Sequence, residues 1–508
     1  MSYGYTGAPA LFNGTLPNGG DSRTTNLNQW YQSGDVAYIL VSSCMVLVMI
    51  PGIGFLYSGL ARRKSALSMI WACMASFSVI TFQWYFWGYS LAFSSSGTSG
   101  FIGDLNHFGL MNTLGAPSPG SPLIPELLYS FYQMMFCATT GAIVTGAIAE
   151  RGRLVPMMVF IFIWATLVYC PIAYWAWNIN GWAFKFGVLD YAGEGGPVEI
   201  CSGVSALAYS MMLGKRQQKM MLNFRPHNVS LVTLGTIILW FGWLGFNGGS
   251  AFGANLRAVM ACWNSCLTAM IASITWVLLD YRLSRKWSMV GWCSGCISGL
   301  VAATPASGFI PPWASIILGV VVGLVSNFST KVKYFLRIDD SMDNLAEHGI
   351  AGMVGLIFNG FFAADYIIGL DGVSTGLING GWLNHNWKQL YIQAAYVVAC
   401  TAYSFVVSAG IAAVVNLIPG LKLRASEEAE LLGMDDDQLG EFAYDYVEVR
   451  RDYLAWSPAT EDNDMEMIEA VDGDKEKSDT LRMRKVSSRT VGAMDGEISP
   501  LPLMGSER

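Results

Sequence analysis

Charged side chains are scarce in this chain: Asp, Glu, Lys and Arg make up 13% of its 508 residues, while 53% are apolar. Soluble globular domains carry about 25% charge, so a single soluble domain is excluded. Histidine is scarcer still, with four in all. His107, His227 and His385 fall in expected loops and His348 in an apolar run, so a transmembrane haem has no histidine pair to hold it. No GxxxxGK[ST] loop and no GxGxxG in a dinucleotide-binding context occurs, which argues against pumping driven by nucleotide hydrolysis. The ten cysteines (Cys44, Cys73, Cys137, Cys170, Cys201, Cys262, Cys266, Cys293, Cys296 and Cys400) all lie inside apolar runs, which suggests neither a disulfide framework nor a zinc cluster. They read as small packing residues. No metal or other cofactor is expected, and no enzyme chemistry. Residues 1–35, rich in Gly, Asn and Ser, lack the apolar stretch of a cleavable signal peptide and are expected to form a short exposed segment.

What the chain has in abundance is long apolar runs. They fall at roughly 36–60, 66–93, 125–149, 155–176, 197–214, 229–250, 257–281, 288–304, 312–332, 348–366 and 390–418, most of them near the ~20 residues that cross a bilayer as a helix. The expected fold class is an all-α integral membrane protein, a bundle of eleven transmembrane helices. Alternate connections hold fifteen basic residues: Arg62, Arg63, Lys64; Arg151, Arg153; Lys215, Arg216, Lys219, Arg225; Arg282, Arg285, Lys286; and Lys331, Lys333, Arg337. The segments on the other side hold four: Arg23, Lys185, Arg257 and Lys388. The positive-inside rule then puts the N-terminus outside and the C-terminus in the cytoplasm. Asn13-Gly14-Thr15, in the outside segment, is a glycosylation sequon that is either used or a chance match.

Glu199-x-x-x-Gly203 in the fifth span and His348-x-x-x-Gly352 in the tenth place an ionisable residue at matching points five spans apart. Two five-span units would be inverted, so the pattern raises an inverted repeat of spans 1–5 and 6–10. Small residues such as Gly141, Gly146, Gly295, Gly299, Gly349 and Gly355 also suit plain helix packing. Glu199 and His348 are the sharpest features, because ionisable residues within spans are costly and face cavities or partners. They form either a structural interhelical pair or a coupled proton-handling pair on a permeation path. Asp190, near the start of the fifth span, either attracts a cation or caps the following helix. Phe136, Trp164, Trp243 and Phe246 lie on the outer halves of their spans, where ring faces could hold a cation. With 18 Trp and 26 Phe in the chain, however, any one aromatic usually faces lipid or core, and the pattern alone does not single these four out.

Several blocks carry a family resemblance across about residues 36–456: the Pro51–Leu60 run ahead of Arg62-Arg63-Lys64, Gly146–Arg151, Asp190-Tyr191-Ala192-Gly193, Arg225–Asn228, Gly242–Asn247, and Asp339-Asp340 through Glu347-His348-Gly349. The chain resembles the ammonium transporters of the Amt/Mep/Rh family, most closely the fungal Mep branch. The resemblance implies the eleven-helix inverted repeat, a homotrimer with one pore per protomer, and uptake of NH4+ across the plasma membrane. It implies that Trp164 and Ser250 frame an outer ammonium site, with Phe136 and Phe246 beneath as an aromatic gate. Asp190 would support capture by holding backbone groups. Tyr132 stands where a phenylalanine is common and adds a hydroxyl to the vestibule. His348 matches the second pore histidine of the family, and Glu199 replaces the first, as in a subset of fungal relatives. The mechanism this implies is NH4+ deprotonation at the gate, NH3 conduction, and separate proton transfer through Glu199 and His348.

The domain reading is an extracellular segment at 1–35, the transmembrane domain at 36–418, a structured cytoplasmic region at 419–456, and a disordered acidic tail at 457–508. Up to residue 418 there are 19 basic and 15 acidic residues, and beyond it 11 and 22, so the net charge of −7 comes from the tail. Ser457, followed by Pro458 and acidic residues, is either a phosphorylation site or an unmodified exposed serine. The expected partners are ammonium or ammonia, the lipid bilayer and other copies of the chain. Hetero-oligomers with paralogues and a kinase acting on the tail stay open, and no nucleic acid is expected. A sensor signalling through the tail and an electroneutral NH3 channel are the competing readings.

Overall fold

An apolar run in lipid must satisfy its own backbone N–H and C=O groups, which restricts it to helices or a closed barrel. Here it is helices. The computed structural model describes residues 17–191, 194–217, 219, 225–374, 376 and 378–444, and among them all extended regular structure is helical. The long helices are α1 (Ser33–Leu60), α2 (Arg63–Phe93), α3 (Glu126–Ile148), α4 (154–177), α5 (195–213), α6 (Val229–Gly249), α7 (Leu256–Ser284), α8 (Met289–Ala303), α9 (Pro312–Ser329), α10 (Leu345–Phe362) and α11 (Gln389–Leu417). Helix covers most of every apolar run in the sequence. Among the described residues, nine stretches are long and apolar enough to cross a membrane. The exceptions are α8, which is shorter, and α5, whose start is diluted by Gly195, Gly196, Pro197 and Glu199.

Local chemistry sets the starts. The side chains of Asn228, Asn255 and Ser288 accept from the backbone N–H groups of Leu231, Ala258 and Gly291 and so cap α6, α7 and α8. Pro312, which has no N–H to leave unpaired, opens α9. Polarity is inverted relative to a soluble helix. On α7, Ser265, Thr268 and Ser273 are buried while Val259, Trp263, Ile274 and Leu278 are exposed, and on α11 Ser404 and Ser408 are buried while Val398, Val406 and Val414 are exposed. Such a surface suits a lipid environment, in which small and hydroxyl residues mediate helix contacts. Helix α1 packs along α6, and α7 along both α8 and α9.

Helices α5 and α10 cross at glycines. A side chain on Gly203 would overlap the Gly349 backbone, and one on Gly352 would come 2.6 Å from Glu199 Cβ. Both helices open with a π turn, Gly195–Ile200 and Leu345–Ile350, one containing Glu199 and the other His348. An aspartate caps each turn: Asp190 accepts from the Gly195 and Gly196 N–H groups at 2.8 and 2.9 Å, and Asp340 from the Leu345 N–H at 2.8 Å.

After α11 the chain returns across one end of the bundle as α12 (Glu427–Leu432) and α13 (Met434–Gln438). It docks by supplying helix caps. Asp435 accepts from the Leu67 and Ser68 N–H groups at the start of α2 (3.0 and 2.7 Å), and Gln438 Oε1 accepts from the Leu154 N–H at the start of α4 (3.1 Å). Arg62 donates to the Glu430 carbonyl, and Asn228 to the Tyr444 hydroxyl. Docking thus covers the described part of the 419–456 region. Asn13, Ser457 and residues 445–508 lie outside the described residues.

Candidate functional site

The π turn in α5 and the one in α10 bring Glu199 and His348 together. His348 Nδ1 and Glu199 Oε2 are 2.9 Å apart, and both residues are buried. Because Nδ1 makes this bond, Nε2 is the ring nitrogen left for another partner. The second carboxylate oxygen of Glu199 is buried without one. The pair that the sequence singled out from helices far apart along the chain is therefore in direct contact, and one proton can lie on either side of it.

At the end of the bundle opposite the tail lies an aromatic stack. The rings of Phe136 on α3 and Phe246 on α6 are 4.0 Å apart between centroids and inclined by 28°. Tyr132 packs edge-on against Phe136 (4.7 Å), and its hydroxyl reaches the carbonyls of Gly245 (3.0 Å) and Phe246 (2.7 Å) and Ser250 Oγ (3.2 Å). Trp243 packs against Phe246 at 5.8 Å between centroids, and its indole N–H is fixed by Thr304 Oγ1 at 2.8 Å.

Two candidate residues have different stations from those the sequence suggested, or more limited ones. Trp164 does not join this cluster. Its indole N–H donates to Ser205 Oγ at 2.9 Å, and Ser205 in turn bonds Ser408 on α11, so Trp164 sits at the α4–α5–α11 junction. Besides Trp243, the stack is met by Trp177 at the end of α4, perpendicular to Phe136 at 6.4 Å and also packed on Phe93. Asp190 directs both carboxylate oxygens to backbone N–H groups, the capping alternative, with Tyr396 as a third neighbour at 3.4 Å. Sequence reasoning also missed Glu194, fully buried and bonded to Ser250 Oγ. Its position five residues before Glu199 was the available signal, masked because the apolar run begins after it.

At the tail end, Arg216 holds two carboxylates. It chelates Asp339 through Nε and Nη2, both at 2.9 Å, and bonds Glu150 through Nη1 at 3.0 Å. Burial alone would raise Asp339, but the Arg216 bonds and charge outweigh it and hold the carboxyl at about 2. Asp340 has no such partner on Oδ1, and burial pushes it up to about 6. The Arg151 guanidinium, also buried, is pulled down to about 10 by desolvation and donates to the carbonyls of Gly214 and Asp339 and to Ser341.

The Ammonium Transporter Family model matches residues 37–444. The chain belongs to that family. Ammonium transporter MEP3 of Saccharomyces cerevisiae is 57% identical over 432 residues, 85% of this chain and 88% of that one. Ammonium transporter 2 of Schizosaccharomyces pombe is 53% identical over 456 residues, 89% of each. The crystal structure of Candida albicans Mep2 superposes with a TM-score of 0.78 at 47% identity, covering 85% of this chain and 95% of that one. In this member of the family, the stack is carried by α3 and α6 and the buried pair by α5 and α10.

Proposed function

We propose that this family member takes up NH4+ across the plasma membrane and moves net charge by passing NH3 and H+ separately. The observation that carries the reading is the 2.9 Å contact between Glu199 and His348, a buried pair able to relay a proton. A narrow apolar passage makes a bare cation costly and lets a neutral molecule through. NH4+ would be captured beside Ser250 and Tyr132, with the rings of Trp177, Phe136 and Phe246 facing it. It would lose a proton at the Phe136/Phe246 gate, cross as NH3, and be re-protonated inside. Trp164 has a packing role in this scheme, and Asp190 supports the site by holding the start of α5.

The topology we infer has eleven spans, an outside N-terminus and a cytoplasmic C-terminus, supported by the alternation of basic connections. The matched π turns, aspartate caps and facing glycines of α5 and α10 support an inverted repeat of spans 1–5 and 6–10. A homotrimer with one pore per chain, glycosylation at Asn13 and phosphoregulation through Ser457 complete the proposal.

The test is ammonium-evoked current from the purified protein in liposomes at two external pH values, for the unmodified chain and for Glu199→Gln and His348→Ala. The expected result is a current in the unmodified chain that either substitution abolishes or makes permeable to K+. Flux of 15N-ammonium without current would identify an electroneutral NH3 channel, with the pair structural.

A further inference from the structure

Glu194 is a buried carboxylate that the pathway described above leaves unused. One oxygen bonds Ser250 Oγ, the other is buried with no partner, and no ion pair to Glu194 occurs among the described residues. Arg257, a cation on the neighbouring α7, is committed to Asp371 at 2.9 Å and to the Gly308 carbonyl. An isolated buried carboxylate is costly, so it must be neutralised by a proton or by a cation.

The hydrogen-bond census around it favours a cation. Ser250 and Tyr132 contribute one hydroxyl proton each. They face the Phe246 carbonyl (2.7 Å from each hydroxyl), the Gly245 carbonyl (3.0 Å from Tyr132) and, through Ser250, one Glu194 oxygen. Neither hydroxyl reaches the second Glu194 oxygen, which is buried without a donor. The carbonyls belong to the last turn of α6, whose dipole adds partial negative charge at that end. Tyr132, whose hydroxyl belongs to this group, packs edge-on against the Phe136 ring. Carboxylate, helix C-terminus and the unserved carboxylate oxygen all favour a small cation that carries its own donors.

We propose that Glu194 is the anionic ligand of a monovalent-cation site at the mouth of the bundle. NH4+ would donate to Glu194 and to Ser250 Oγ, freeing the Ser250 proton for the Phe246 carbonyl. The proposal rests on the reading of this end as the ammonium entrance. Its consequence is a site of net negative charge that also accepts other monovalent cations of similar size.

Two measurements on the full-length protein separate the proposal from the transport reading. The first is equilibrium binding of Tl+, an NH4+-sized probe, to detergent-solubilised unmodified chain, Glu194→Gln, Glu194→Asp and Ser250→Ala, each checked for monodispersity. The second is ammonium-saturable flux in liposomes. Replacing a charge-assisted bond by a neutral one should weaken Tl+ binding and raise the KM for ammonium at least about tenfold in Glu194→Gln, with Glu194→Asp recovering most of the affinity. Unchanged binding in Glu194→Gln, or equal loss in Gln and Asp, overturns the proposal whether or not flux is seen. Charge-dependent binding without flux upholds the site and overturns the transport reading.

Discussion

Trp164 and Trp177 lie on the same helix, but what each indole touches separates their roles. Trp164 spends its N–H on Ser205, whereas Trp177 is held by ring packing alone against Phe93 and Phe136 and stays partly exposed. Trp177→Leu should raise the KM for ammonium roughly threefold to thirtyfold, the range of a partly desolvated cation–π contact. Trp164→Phe should leave KM unchanged and cost about 1 kcal/mol of stability for the lost bond. Flux kinetics and thermal melting of the two variants check this, and a KM effect in Trp164→Phe would contradict the assignment.

At the scale of the element, the two π turns decide what faces what. A π turn bonds each N–H five residues back, as the Glu199 N–H does to the Glu194 carbonyl at 3.2 Å, and so brings those two carboxylates towards one face of α5. The approach of α10 depends on glycine: a methyl group at Gly352 would lie 2.6 Å from Glu199 Cβ. Gly352→Ala should therefore push the helices apart, cost about 1–3 kcal/mol as overpacking, and weaken the ammonium-evoked current by loosening the Glu199–His348 bond. A lowered melting temperature with full current would show that the pair tolerates the displacement.

For the whole molecule, the tail end is knit by Arg216, which joins the loop after α3 through Glu150 and the loop before α10 through Asp339. Removing it leaves two carboxylates without their main cation. Arg216→Met should cost about 3–5 kcal/mol, the usual range for breaking a buried pair. The pH dependence has a definite sign. Asp339 is held at about 2, below its ordinary 3.8, so its contribution to stability is complete above pH 3.8 and is lost as pH falls towards 2. Asp340, raised to about 6, acts oppositely, and its contribution fades as pH rises through 6. Thermal melting of the unmodified chain and of Arg216→Met from about pH 2 to 7 would read both. In the variant, the acid-side loss due to Asp339 should shrink.

Much of this was legible one residue at a time. Apolar runs must become helices in lipid, so the helix positions followed from composition, and an ionisable residue in such a run is conspicuous, so Glu199 and His348 stood out. The tail's acidity and the basic connections were equally plain. Choosing among 18 tryptophans was different. Nothing in the local pattern distinguishes an indole bonded to a serine on the next helix from one packed edge-on against a phenylalanine ring, because both sit in apolar runs. Glu194 was hidden for a related reason: hydropathy assigns a carboxylate beside an apolar run to the loop, and whether it turns inward depends on the register of a π turn. Asp435 and Gln438 cap helices hundreds of residues away in sequence, contacts that arise when the chain closes on itself. Water-avoidance is a property of each segment and can be read from it, whereas the partner of a buried polar group is set by which segments the packed bundle brings within hydrogen-bond reach.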